Sequence, residues 1–161
     1  MKKTVLIVDK DKDILNLYKN MINWDEYGYE ILATVDNEKN AISSYGEYLY
    51  DLVITDIDLR EGNGLSFLSR IKKMYPSSRF VVISEKSDYE TVRMAMKLGA
   101  YDYFVKSKLR FANFIDLLNE LNEADYLIAY SDISIESDLQ KLMGLIRDKQ
   151  KIDEKRVLKA I

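Results

Sequence analysis

A chain of 161 residues, 47% hydrophobic and 32% charged, can build one core of ordinary size plus an appendage, and its formal charge of -3 gives no global hint of nucleic-acid binding. It has no cysteine and no histidine, which excludes disulfides, thiolate catalysis, the usual zinc sites and the commonest general base, so any metal here is a hard one held by oxygen. No apolar stretch approaches the roughly 18 uninterrupted residues of a membrane helix, and the run after Lys3 breaks at Asp9, too early for a signal peptide; the expectation is a cytoplasmic protein without membrane contact.

Residues 4–8 are a short β-branched run that stops at Asp9 and predicts a first strand. Ile14, Leu17, Tyr18, Met21 and Ile22 then recur at helical spacing, predicting a helix over 12–22 and a loop over 23–27. A second strand is predicted over 29–34, a helix over 38–48, and a third strand over 52–55 that ends at Asp56. Gly62, Asn63 and Gly64 break the chain before a helix bearing Leu65, Phe67, Leu68 and Ile71, and Pro76 ends that helix before a strand over 80–83. Ser87 and Glu90 have the spacing of a capping box, opening a helix that closes at Gly99. A fifth strand over 102–105 stops at Lys106, and a further helix carries Phe111, Phe114, Ile115, Leu118 and Leu121. Strict alternation of strand and helix, with right-handed crossovers, predicts an α/β doubly wound parallel sheet over 3–123. Residues 131–161 lack strand signals. There Ser137 is read as the cap of a helix bearing Leu139, Leu142, Met143 and Ile146, a helical extension or linker with a Lys/Arg surplus from Lys141 onward.

Two carboxylates and one ammonium therefore sit where buried strands end, the place where open α/β sheets hold their ligands, and their chemistry is that of a cation and phosphate site. Taken singly each is ordinary, since a strand-end aspartate often caps a helix and a lysine is often only solvated. Asp9, Asp11 and Asp13 imitate the start of a calcium loop, but Ile14 and Asn20 stand where glycine and glutamate are required. Residues 62–64 lack the lysine and glycine spacing of a P-loop, and no loop supports a flavin site.

With Val8 and Asp9, the segment 51–65 around Asp56, Ser84 at the end of the fourth strand and the segment 98–106 ending in Lys106, the chain resembles a response-regulator receiver domain of two-component signalling. Residues 22–31 further resemble receivers that precede an AraC-type DNA-binding domain, and no such effector domain is present in this chain. The resemblance implies a flavodoxin-like five-stranded parallel sheet of order 2-1-3-4-5 and a signalling module, not an enzyme. It implies that Asp56 accepts a phosphoryl group from a sensor histidine kinase, with magnesium held by Asp9, Asp56 and the backbone carbonyl of Asp58. Lys106 would pair with the phosphoryl group, Ser84 would hydrogen-bond it, and Tyr103 would turn inward so that the surface of helix four, strand five and helix five reports the charge. The implied output is transcription, through a DNA-binding domain outside this chain, with a homodimer formed by that surface or by the C-terminal helix.

The chain also departs from the family. Lys10 stands where a second acid is usual, Glu85 where a small residue is usual, and Ser107 where Lys106 is normally followed by proline. Lys10 is expected to weaken or abolish magnesium binding. These substitutions motivate an alternative, a pseudo-receiver read without phosphorylation, in which Lys10 replaces magnesium as the counter-ion of Asp9 and Asp56. Asp58 and Lys86 match positions flanking the mouth of the site and are expected to form a charged gate there.

Overall fold

The computed structural model describes residues 1–160, with side chains through residue 144 and at 146 and 147. The chain divides into two compact units, Met1–Ile115 and Asp116–Ile161. The first holds strands β1 (Lys3–Val8), β2 (Tyr29–Val35), β3 (Leu52–Thr55), β4 (Phe80–Ser84) and β5 (Asp102–Val105), interleaved with helices α1 (Lys12–Asn20), α2 (Glu38–Tyr48), α3 (Gly64–Met74) and α4 (Tyr89–Lys97). All strand pairs are parallel and the order is β2-β1-β3-β4-β5, the flavodoxin-like arrangement expected.

The central strands show why these runs fold this way. Val5 to Val8, Leu52 to Thr55 and Phe80 to Ser84 are buried throughout, which is the pattern of parallel strands covered on both faces by helices. The edge strands β2 and β5 are only partly covered. In β2 the register slips between Val5 and Leu6, so that Leu32 is the extra, exposed residue of a bulge.

Caps fix where the helices begin. Asp11 accepts the N–H groups of Asp13 and Ile14, Asn37 that of Asn40, and Asn63 those of Leu65 and Ser66. At α4 the cap is Asp88, which takes the Thr91 N–H at 2.9 Å, not Ser87 as the capping-box spacing predicts. An ionised carboxylate one residue nearer the helix is the stronger acceptor for its N-terminal dipole. The predicted loop after α1 is a single turn of tight helix, Trp24–Tyr27. The buried Trp24 indole donates to the Tyr18 carbonyl at 2.9 Å and its ring meets Phe114 edge-on at 6.0 Å.

Helix α5 spans Phe111–Ala160 without a break. The helix start predicted at Ser137 is therefore corrected: Ser137 lies inside α5, because residues 112–143 contain neither glycine nor proline to end it. Among the described residues no helix is long and apolar enough to cross a membrane.

Candidate phosphoacceptor site

Strand register brings the candidate groups together. Val8 pairs with Thr55, so Asp9 and Asp56 leave adjacent strands at the same level. Thr55 pairs with Val82, and β4 continues to Ser84, which pairs with Val105 immediately before Lys106. Four residues far apart in sequence thus emerge at the carboxyl ends of four neighbouring strands.

Lys106 lies between the two acids. Its Nζ donates to Asp56 Oδ2 at 2.6 Å and stands 2.6 Å from Asp9 Oδ2. The second contact is short but off the hydrogen-bond line, so Asp9 Oδ2 is a buried oxygen with no directed donor. The other oxygens are held by backbone: Asp9 Oδ1 takes the Asp11 N–H at 2.9 Å, and Asp56 Oδ1 takes the Ile57 N–H at 2.6 Å and, more weakly, the Asp58 N–H at 3.4 Å. Asp9 is 1% exposed and Asp56 5%, which makes the electrostatics of this cluster strong. Burial pushes the Asp9 carboxyl above the usual carboxylate range, and the Lys106 ammonium and Asp11 N–H only partly offset it. For Lys106 burial works to lower the value, but the bond to Asp56 and the ion pair with Asp9 prevail and hold the amine above the ordinary lysine range.

Lys10 is not part of this cluster. It is exposed, and the ammonium lodged between the carboxylates belongs to Lys106. The expectation of Lys10 as internal counter-ion is corrected: side chains leaving a strand alternate in direction, so the neighbour of buried Asp9 turns to solvent. Glu85 is likewise exposed. No cis peptide occurs among the described residues, so the bond between Lys106 and Ser107 is trans, and residues Lys106–Lys108 form a single tight turn.

Around the mouth, Lys86 Nζ pairs with Asp58 Oδ1 at 3.0 Å, each about half exposed. The Lys86 N–H approaches Ser84 Oγ at 3.4 Å, and the Tyr103 hydroxyl donates to the Lys86 carbonyl at 2.6 Å. Burial raises the Tyr103 phenol, with Ser84 opposing it. Ser84 is buried and Tyr103 half-buried against the core, and the Tyr103 hydroxyl ties the loop after β4 to β5.

Two supports went unremarked in the sequence. The buried Thr55 hydroxyl donates to the Asp56 carbonyl at 2.8 Å. Gly64 starts α3 so close to that carbonyl that a Cβ would lie 1.8 Å from it. The glycine of the Gly62 to Gly64 break was the available signal, read there only as a turn.

For a hard cation the donor set fits. Asp9 Oδ2 is a buried anionic oxygen lacking a directed partner beside a second carboxylate, and oxygen-only donors suit magnesium. Among the described residues no three acidic side chains converge on a metal, so carbonyl and water ligands would complete the shell.

The chain matches the family model described as response regulator receiver domain over residues 5–136. The chemotaxis protein CheY of Thermotoga maritima is 31% identical over 123 residues, covering 76% of this chain and 100% of that protein. YesN of Bacillus subtilis, described as an uncharacterized transcriptional regulatory protein, is 26% identical over 102 residues, and the chain spans only 28% of its length. Among solved structures, the receiver domain of AraT, a response regulator from Geobacillus stearothermophilus, superposes with a TM-score of 0.73 at 19% identity, covering 80% of this chain and 99% of that one. The fold, the strand-end constellation and a family match over most of the chain agree, and the chain belongs to the response regulator receiver domain family.

Proposed function

We propose that this receiver accepts a phosphoryl group on Asp56 from a sensor histidine kinase and passes the change to an output, most directly transcription. The observation that carries the reading is the Lys106 ammonium 2.6 Å from an oxygen of each of two buried aspartates. Phosphoryl transfer depends on positioning and charge neutralisation more than on proton transfer. In the step, an Asp56 oxygen bonds to phosphorus as the bond from phosphorus to the donor's imidazole nitrogen breaks; that nitrogen keeps the electron pair and takes a proton from water. A carboxylate nucleophile needs no base, and Asp56 Oδ2 is paired with the Lys106 ammonium. Lys106 exchanges a carboxylate oxygen for a phosphoryl oxygen, and the buried Ser84 hydroxyl is the further donor for that anion. Asp9, Asp56 and the Asp58 carbonyl would hold magnesium, which when bound neutralises charge on the phosphoryl oxygens.

The protein is in this reading the kinase's substrate and not itself an enzyme, and it works in the cytoplasm. The link to transcription rests on relatives such as YesN and on the likeness of residues 22–31 to receivers preceding an AraC-type domain. Tyr103 supplies the read-out: its hydroxyl already grips the loop carrying Lys86, and a new anion beside Ser84 would redistribute those bonds across α4 and β5.

The test is intact-mass measurement after incubation with magnesium and acetyl phosphate. The expected result is the gain of one phosphoryl group, lost in Asp56→Asn and without added magnesium. A chain that stays unmodified at millimolar magnesium would overturn the proposal.

A further inference from the structure

The apolar surface of α5 beyond residue 125 has no use in phosphoacceptance. Ile128, Ile135, Leu139, Leu142 and Ile146 are each more than half exposed, yet at about 100° per residue they fall within an arc of roughly 60°. Their seven-residue recurrences, 128 to 135 to 142 and 139 to 146, are the repeat that packs one helix along another. The stripe runs about 27 Å at 1.5 Å per residue. Tyr126, Tyr130 and Ile133, also exposed, lie on the opposite side and have no counterpart further along the helix over 134–147 at the same angle.

Charge says what covers the stripe. Residues 116–140 carry seven Asp/Glu and no Lys or Arg, whereas residues 141–160 carry seven Lys/Arg against three Asp/Glu. The helix is thus acidic in one half and basic in the other, complementary to itself only when reversed. We propose that α5 pairs antiparallel with α5 of a second copy of this chain. With residue 137 at the centre, Ile128 of one copy stands level with Ile146 of the other and Ile135 with Leu139, while the acidic stretch 116–132 of each runs beside the basic stretch 142–158 of its mate. Four of the five stripe residues, at 128, 135, 139 and 146, are symmetric about that same point, with Leu142 level with Asp132 at the stripe's border, so hydrophobic and charge patterns favour one register. A parallel pair would instead set acid against acid along 116–140 and face Asp132, which borders the stripe, with its own copy.

The absence of native cysteine gives a clean test on the full chain. Ile128→Cys and Ile146→Cys variants are oxidised separately and as an equal mixture. Antiparallel pairing yields a covalent dimer in the mixture and in neither variant alone, because only unlike positions come within disulfide reach. Cross-linking within Ile128→Cys alone, or none in the mixture, overturns the proposal. Light scattering on the unmodified chain is expected to show a dimer that weakens at high salt. Ile135→Asp, exposed in the single copy and so harmless to its fold, is expected to weaken the dimer by about tenfold or more; a monomer in the parent chain, or unaltered association in this variant, refutes it.

Discussion

Lys106 reaches Asp56 Oδ2 with a hydrogen bond of 2.6 Å across fifty positions of sequence, and it sets a positive charge against a carboxyl group that is only 5% exposed. The pair is both the structural keystone of the strand ends and the electrostatic half of the phosphoacceptor chemistry, so one substitution tests both roles.

Lys106→Met leaves Asp9 and Asp56 buried together without a counter-charge. Removing one partner of a buried pair costs about 3 kcal/mol or more at neutral pH. Burial already holds the Asp9 carboxyl above the usual range and Lys106 opposes that rise, so without the ammonium Asp9 titrates higher still when folded; its part of the deficit is absent below the unfolded value and is fully present once pH has risen through the folded one. Urea titrations across pH should therefore show the variant approaching the parent on acidification. Magnesium-dependent phosphorylation should slow on the order of 100-fold, the loss typical of one oxyanion donor; a variant as fast as the parent would remove Lys106 from the chemistry.

Asp9→Asn separates burial from function. The raised Asp9 value means that the folded chain holds that proton more tightly than the unfolded chain, so ionising Asp9 costs stability above its folded titration and costs nothing well below the unfolded one. In chelator, Asp9→Asn is expected to be more stable than the parent at neutral pH, with the gain vanishing on acidification. The same change removes the under-coordinated Oδ2, and calorimetry should find magnesium binding weakened by about tenfold or more. A pH-independent stability difference would contradict the assigned cause.

The ion pair of Asp58 and Lys86 spans 3.0 Å with both side chains about half exposed, so its contribution to stability is small. Lys86→Ala should shift the urea midpoint by less than about 0.5 kcal/mol. If the pair screens Asp56 from water, the phosphoryl group on Asp56 should be lost about fivefold faster in this variant, equivalent to roughly 1 kcal/mol of barrier. An unchanged lifetime would make the two residues a surface pair only.

What the sequence made legible was whatever follows from strand periodicity. Asp9 and Asp56 each end an apolar run buried on both faces, the kind that is easiest to read and surest to sit side by side, and Lys106 ends the shorter, partly covered run of the edge strand. What it concealed was direction. Lys10 and Asp9 are neighbours in the chain, but only alternation of side chains at the strand exit decides that one is buried and the other solvated, and the identity of the counter-ion hung on that. The cap at Asp88 was hidden for a similar reason, since Ser87, Asp88 and Glu90 all carry acceptors and only backbone geometry selects one. In α5 the apolar residues after 125 were visible, but the sequence offered no reason to join them to the helix bearing Phe114, and the lack of a breaker between them proved decisive.

Gly64 supplies the sharpest steric test. Its N–H donates to the Ile57 carbonyl at 2.9 Å, and the missing side chain is what permits α3 to start against the Asp56 carbonyl. A Cβ placed 1.8 Å from that oxygen and 3.0 Å from Thr55 Oγ1 meets backbone and a buried, hydrogen-bonded hydroxyl, neither of which can swing aside. Gly64→Ala must therefore push α3 off the end of β3 or displace Asp56 itself, at a cost of about 3 kcal/mol. The urea midpoint should fall with no change in slope, and phosphorylation should fall further than the folded fraction does, because the Asp56 carboxylate is displaced from Lys106 even in molecules that remain folded. Phosphorylation that simply tracks the folded fraction would show the glycine to matter for packing alone.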